Sequence, residues 1–357
     1  MNSSFDCLHK NCGWTREQPY NRKRRLPTKS HWRCLFNDPM DLSVIIVNWN
    51  AKELLENCLR SIESNCGYNA IQTIVVDNNS SDGSREMVAR CFPKVAVFNS
   101  GGNFGFAKAN NLGLAYARAP LVLFLNPDTE IKGEALDLMV LFMRNNPSVG
   151  ALGCKIKNVS GTIQRLGLQW FPSPWTELLK FIAVSERTFA RLPRLFPYHD
   201  PEKSGEVNKL FGACLLVRRT VLNQVGSFDE RFFMYCEDVD LCYRITRAGW
   251  KLFYLSDAEI LHLGGAASSS VPGAFSVLMM CESFSRFMRK HHGKAGSAAY
   301  RLVALFGAQI RIVALLLIGL IGIAGRRGSG KSVGSSIRKY FTVTKWALGL
   351  KRPANHG

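Results

Sequence analysis

Apolar positions in the first third of the sequence come in short β-branched runs separated by amphipathic stretches. "LSVIIV" (42–47), "TIVVD" (73–77), "VAVFN" (95–99) and "LVLFLN" (121–126) are runs of the kind found in buried strands. Between the first two, Leu54, Leu55, Cys58, Leu59 and Ile62 recur at helical spacing, and "GFAKANNLGLAYARA" (105–119) has the same pattern ahead of the fourth. Strand and helix in alternation predict a parallel sheet with crossover helices. Such sheets bind ligands beyond the carboxyl ends of their strands. There the sequence places "NWN" (48–50), "DNNSSDGS" (77–84), "SGGNFG" (100–105) and "NPDT" (126–129), all polar and turn-forming.

The pattern weakens over 150–210, where Pro172, Pro174, Pro193, Pro197 and Pro201 predict irregular structure with a helix near 175–191. It returns in "LFGACLLVRRTVLNQVGSFDERFF" (210–233), a strand followed by a short helix. "EDVDLCYRITRAGW" (237–250) reads as a helix ending at Gly249, and "KLFYLSDAEILHLGG" (251–265) as strands leading to a Gly/Ser-rich loop at 264–270. Residues 302–325 form the most apolar window, but only its last fourteen residues lack Gln309 and Arg311. A spanning helix needs about 20 apolar residues. With basic clusters on both sides, the window is expected to lie in or dip into an anionic leaflet; a soluble helix packed on the core is the plainer alternative.

Charge divides the chain further. The total of +19 resides in the ends: residues 1–40 hold eight Lys/Arg against three acids, and 283–357 hold fourteen against none. That leaves 24 of each sign in 41–282, a neutral body of the kind expected of an enzyme core. Basic ends suit an anionic membrane face or nucleic acid, and no aromatic-interleaved basic groove supports nucleic acid. The eleven cysteines show no C-x-x-C pair or zinc spacing, which predicts reduced, mostly buried thiols in a cytosolic setting. Residues 1–40 carry no apolar signal core. They are expected to be either a disordered basic leader or an extension upstream of a true start at Met40.

Several local motifs carry chemistry. "GRRGSGKS" (325–332) matches the phosphate-loop pattern, yet only 25 residues follow it, too few for a nucleotide hydrolase. It reads as a basic linker. No G-x-G-x-x-G follows the first strand, which disfavours a dinucleotide-binding dehydrogenase. Asp77 at a strand end suits hydrogen bonds from a base or ribose, or an Asx-type turn. Asp128, behind a stiffening proline, suits Mg²⁺ or Mn²⁺ or a plain turn. His262 is structural unless folding brings it to Asp128, where the pair would make a mixed Mn²⁺-compatible site. Finally, Glu237, Asp238 and Asp240 crowd one helix start behind the aromatic run "FDERFFMY". The helix dipole favours acids there, but a metal site or a catalytic base remain open.

In combination, "SVIIVNWN", "VVDNNSSDGS", "NFGFAKANNLG", "LFLNPDT", "VGSFDERFFMYCEDVDLCYR" and the later histidine resemble glycosyltransferase family 2, and within it bacterial rhamnosyltransferase-type enzymes. The resemblance covers about 41–265. It implies an α/β GT-A (nucleotide-diphospho-sugar transferase) fold, with a mostly parallel central sheet flanked by helices. The catalytic domain would span 41–282, with a nucleotide-binding half (41–130) and an acceptor half (131–282). A basic, helical, membrane-associated extension (283–357) containing 302–325 would follow. The implied reaction is inverting transfer of a sugar such as rhamnose from a nucleotide-diphosphate sugar to a glycan or polyprenyl-diphosphate-linked acceptor. It would take place at the cytoplasmic membrane face, in cell-surface polysaccharide synthesis and without nucleic acid. By the same resemblance, Trp49 matches the aromatic that stacks on the donor base, with Asn48 beside it, and Asp77 matches the acid that hydrogen-bonds the base. Asn103 looks like a donor-pocket element. Asp128 matches the last acid of the family's D-x-D metal motif, in which Asn126 here replaces the first carboxylate. His262 matches the histidine completing the Mg²⁺ or Mn²⁺ site, and Asp238 the catalytic base of an "ED" pair with Glu237. A catalytically dead, nucleotide-sugar-binding scaffold is the alternative.

Overall fold

The structure is a computed structural model, and it describes residues 41–65, 67, 70–166, 169–182, 198–263, 273–323 and 330–351. Nine strands form one sheet: β1 (Leu42–Asn48), β2 (Ile71–Asp77), β3 (Ala96–Asn99), β4 (Leu121–Leu125), β5 (Thr129–Lys132), β6 (Val149–Lys157), β7 (Gly205–Val207), β8 (Cys214–Arg218) and β9 (Lys251–His262). Their order is β3-β2-β1-β4-β8-β6-β9-β5, with β7 paired to β9. The β3-β2-β1-β4 half is parallel throughout. Beyond it β8 enters antiparallel to both β4 and β6, β6 and β9 run parallel, and β5 and β7 pair antiparallel with β9.

Helices α1 (Lys52–Ser64), α2 (Ser84–Cys91), α3 (Gly105–Tyr116) and α4 (Ala135–Asn145) accompany the first six strands. Every residue of β1 is buried, because helices cover both faces of the sheet. Val44 and Ile46 face Leu55, Cys58, Leu59 and Ile62 of α1, while Ile45 and Val47 face Ala107 and Ala109 of α3. Each such aliphatic side chain contributes about 1.5–3 kcal/mol on burial. All four strands and both helices expected in 42–126 are present.

The remainder is partly new. Residues 149–157, within the stretch expected to be irregular, form the buried strand β6. The helix expected near 175–191 is α5 (Pro174–Ile182), its later part lying outside the described residues. Helices α6 (Arg219–Val225) and α7 (Glu237–Arg247) fall as expected, and 251–262 is one bulged strand, not several. The Gly/Ser-rich loop at 264–270 and most of 325–332 lie outside the described residues, as do residues 1–40.

At the C-terminal end, α8 (Gly273–Ile323) is kinked at Gly293 (φ 71°, ψ −172°), a conformation that excludes a side chain. It is followed by α9 (Gly330–Ala347). The boundary expected at 282/283 therefore falls inside α8. Helix α9 returns antiparallel along α8: Gln309 Nε2 donates to Thr344 Oγ1 at 2.8 Å, and Tyr300 and Arg301 contact the buried Trp346. Of the seven cysteines in the described residues, six are buried thiols.

Candidate active site

The parallel strands end in a network of neutral hydrogen bonds around one carboxylate. Register places Asn48 beside Asp77. Asp77 is buried; its Oδ1 accepts from Asn48 Nδ2 at 3.3 Å and its Oδ2 from the Ser80 backbone N–H at 3.1 Å. The Asx-type turn is thus real, and it leaves lone pairs on both oxygens. Asn48 Nδ2 also donates to Ser80 Oγ, while its buried Oδ1 has no hydrogen-bond partner among the described residues. Trp49 follows, half-buried. Asp82 lies apart, capping α1 and α2 by accepting from the Lys52 and Ser84 backbone N–H groups.

Asn78, which sequence reasoning did not single out, organises the third loop. Its Oδ1 accepts from the Phe104 N–H, and its Nδ2 donates to Asn103 Oδ1 at 3.0 Å; Asn103 Oδ1 also accepts from the Gly105 N–H. Asn103 therefore shapes the entry to α3. Gly105 sits at φ +80°, where a Cβ would meet the Phe233 carbonyl oxygen at 2.2 Å. That close approach allows the Phe106 N–H to donate to the same oxygen at 2.7 Å, joining the 100–105 loop to the aromatic run 228–235.

The fourth strand end and the far edge of the sheet bring Asp128 and His262 together. Thr129 pairs with His262 in the β5–β9 register, and the Leu263 N–H donates to the Asp128 carbonyl. His262 Nε2 lies 3.2 Å from Asp128 Oδ1, both atoms buried, so the condition set on His262 is met. Asn126 is half-buried at the head of the same turn; its carbonyl accepts from Thr129 Oγ1 at 2.7 Å.

Helix α7 begins with Glu237 and Asp238 behind two consecutive left-handed residues, Tyr235 (φ 68°) and Cys236 (φ 66°). Such backbone costs about 1–3 kcal/mol per residue and persists only where the surroundings enforce it. Asp238 is half-buried; its Oδ2 accepts from the Gly212 N–H at 2.9 Å and its Oδ1 from the Val239 N–H at 2.7 Å. Burial raises its pKa, and the two N–H bonds and Lys209 only partly offset that. Glu237 is buried with Oε2 unpartnered among the described residues, and desolvation with the adjacent Asp238 charge drives its pKa well above the carboxylate range. Two consecutive residues, Gly212 and Ala213, link this helix start to the 126–129 turn. The Gly212 N–H serves Asp238, while the next carbonyl, of Ala213, accepts from the Asn126 N–H at 3.0 Å.

Comparison with known proteins fits this constellation. The model of the family described as "Glycosyl transferase family 2" matches residues 43–226, more than half of the chain. The chain belongs to glycosyltransferase family 2. It is 32% identical over 248 residues to the N-acetylglucosaminyl-diphospho-decaprenol L-rhamnosyltransferase of Mycobacterium tuberculosis, across 62% of this chain and 75% of that protein. It is 24% identical to rhamnosyltransferase WbbL of Escherichia coli, across 61% of this chain and 82% of that one. Among solved structures, the mannosyltransferase PcManGT from Pyrobaculum calidifontis, in complex with GDP-Man and Mn²⁺, superposes with a TM-score of 0.53. It is 17% identical over 90% of this chain and 92% of its own, a likeness that shows the shared GT-A-like fold. The chain is accordingly a family 2 glycosyltransferase with a mixed central sheet flanked by helices and a long apolar C-terminal helix.

As a family 2 enzyme, the chain has donors that fit a divalent ion. Asp128 offers a hard oxygen and His262 an imidazole nitrogen, a mixture compatible with Mg²⁺ or Mn²⁺. Among the described residues no third His, Cys, Asp or Glu joins them.

Asp240, the third acid of the cluster, has a role that its place at the helix start does not reveal. It is fully buried and ties α7 to α8: Oδ1 accepts from His291 Nε2 at 2.8 Å, and Oδ2 from Arg244 Nε at 2.8 Å and Lys290 Nζ at 2.9 Å. Lys290 also bridges to Asp229, and His292 Nε2 lies 3.1 Å from the Pro172 carbonyl. Burial opposes ionisation of Asp240, but His291, Arg244 and Lys290 outweigh it and hold its pKa below the ordinary value. Arg244 is one helical turn away, but Lys290 and His291 lie some fifty residues downstream, beyond the reach of any local pattern.

Proposed function

We propose that this family 2 enzyme carries out an inverting transfer of a sugar, rhamnose being the best-supported candidate, from a nucleotide-diphosphate donor to a polyprenyl-diphosphate-linked acceptor. The observation that carries the mechanism is the Gly212–Ala213 unit, which fixes Asp238 and the Asn126-Pro127-Asp128 turn against each other. Asp238 takes the acceptor hydroxyl's proton as that oxygen attacks C1, and the C1–oxygen bond to the diphosphate breaks. Its raised pKa makes it a stronger base than an ordinary carboxylate. Burial and the neighbouring Asp238 charge disfavour a negative charge on Glu237 beside the base. Asn48, Trp49 and Asp77 bind the donor nucleoside, and Asn103, through the Asn78 network, sets the shape of that pocket. Asn126 and Asp128 lie at the diphosphate. Asp128 and His262 would hold the Mg²⁺ or Mn²⁺ whose charge offsets that of the leaving diphosphate. The rhamnosyl donor and lipid-linked acceptor are supported by the names of the relatives at 32% and 24% identity.

The C-terminal hairpin supports action at an anionic leaflet, on the cytoplasmic face where nucleotide sugars are available. Leu302, Phe306, Ile310, Val313 and Leu317 are exposed at spacings of four, four, three and four, forming one apolar stripe on α8; Tyr300, Ala304, Ala308 and Ile312 are buried. Helix α8 is long and apolar enough to cross a membrane by length and composition. The 283–357 region contributes fourteen basic residues and no acid to anionic lipid binding.

The test is to incubate purified protein with Mg²⁺ or Mn²⁺ and a panel of nucleotide sugars and lipid-linked acceptors. Asp238→Asn should cut transfer by about 10²–10⁴-fold with donor binding intact. Loss of donor binding in that variant would take the role of base away from Asp238. For the membrane, Phe306→Asp with Ile310→Asp should release the protein from anionic vesicles in a sedimentation assay; unchanged binding would dismiss the stripe as the contact surface.

A further inference from the structure

Residues 157–164 fold back on themselves beside β6. The Asn158 N–H donates to the Thr162 carbonyl at 2.8 Å, Lys157 and Ile163 form an antiparallel bridge, and the Gln164 N–H donates to the Ile156 carbonyl at 2.8 Å. This turn delivers the Gln164 side chain to His262, where Oε1 lies 3.0 Å from Nδ1.

In the observed arrangement the amide turns its oxygen to the ring. Gln164 Nε2 donates to Asn158 Oδ1 at 2.5 Å, and Asn158 Nδ2 in turn donates to Thr162 Oγ1 at 3.0 Å. The relay leaves the Gln164 oxygen towards His262, so Nδ1 must be the protonated nitrogen. In the neutral ring Nε2 then presents a lone pair towards Asp128 Oδ1 at 3.2 Å, two acceptors facing each other as a shared cation would require. Were the tautomer reversed, Nε2–H would donate to the carboxylate and close the pair on itself.

We propose that Gln164 is a positioning residue for divalent-cation binding. By fixing the His262 tautomer it keeps the Asp128–His262 pair open to Mg²⁺ or Mn²⁺. The inference rests on the reading of Asp128 and His262 as the cation's holders. Outer-shell partners of this kind typically alter metal affinity by about 10–100-fold.

The experiment uses the full chain and Mn²⁺ itself, with free Mn²⁺ followed by electron paramagnetic resonance. Wild type, Asp128→Ala, Gln164→Leu and Gln164→Glu are compared after circular dichroism has established the fold of each. Gln164→Leu should weaken Mn²⁺ binding by roughly 10–100-fold, and Gln164→Glu, which still accepts from Nδ1–H, should restore it. A second readout needs no metal: ¹⁵N shifts of the His262 ring should report the Nδ1–H tautomer in wild type and a shift towards Nε2–H in Gln164→Leu. If Asp128→Ala loses Mn²⁺ while Gln164→Leu binds like wild type, the inference is overturned and the metal assignment survives. If Asp128→Ala binds like wild type, both fall. An Nε2–H tautomer in the wild-type protein overturns the inference whatever the affinities.

Discussion

The donor-side loops and the α7–α8 junction both surround buried carboxylates, and they treat them in opposite ways. Around the Asp77 carboxylate the donors are the Asn48 amide and the Ser80 backbone N–H, both neutral, so among the described residues no cationic side chain pairs with the charge. Around Asp240 the donors are a guanidinium, an ammonium and an imidazole, and compensation is complete within the fold. Buried charge with only neutral support suits a site that meets a polar ligand. Buried charge fully paired suits a fastener, since removing one member leaves the others stranded.

The largest expected effect tests the fastener. Asp240→Ala leaves Arg244 without its counter-ion and Lys290 with Asp229 alone, and should destabilise the protein by about 3–5 kcal/mol in urea titration; a loss below 1 kcal/mol would make the junction ornamental. Deleting 283–357 to probe membrane binding would do the same damage, because Lys290 and His291 go with it.

Acidification comes next. Asp229 is held low by Arg231, against some desolvation and with help from Lys290, and Asp240 is held low by His291, Arg244 and Lys290 against burial. Carboxylates with depressed folded pKa values stabilise fully above their unfolded values, about 3.9, and lose that stability as pH falls through the folded ones. Unfolding free energy should therefore drop steeply below about pH 4, and Asp240→Asn should flatten that slope. A parallel pH dependence in the variant would assign the loss to other acids.

On the donor side, Asn48→Ala should weaken nucleoside-diphosphate binding by roughly tenfold, for one buried hydrogen-bonding group lost. It should cost less stability than Asp240→Ala, as calorimetric titration and thermal melting would show. Unchanged affinity would detach this network from the donor pocket. The smallest effect is expected at Lys209, whose charge lowers the Asp238 pKa. Lys209→Ala should move the acidic limb of the kcat/KM profile upward, and a downward or absent shift would separate that limb from Asp238.

Legibility in the sequence followed the distance over which each feature is determined. Strands β1, β2 and β4 and helices α1 and α3 were readable because β-branched runs and helical spacing are local consequences of facing two buried layers. Strand β6 was not, since its sequence "VGALGCKIK" carries two glycines that resemble turn residues. They are there for packing: a Cβ at Gly150 would lie 2.8 Å from Trp250, and one at Gly153 2.7 Å from Leu210. Among the site residues, Asp77, Asp128 and Asp238 sit at strand or helix ends, where position alone raises them above background. Gln164 and Asn78 carry no such signal; each matters through what it faces, and that is set by the tertiary fold.

The aromatic run ahead of α7 is held by its backbone. The Arg231 carbonyl accepts from Arg286, that of Phe233 from the Phe106 N–H, and that of Met234 from Ser283 Oγ. Main-chain oxygens are present whatever the side chain, so side chains in this segment can change without uprooting the helix that bears Asp238. Under the proposed role of Asp238, sequence variation at Phe233 and Met234 would therefore leave the base where it stands, anchored through atoms that no substitution removes.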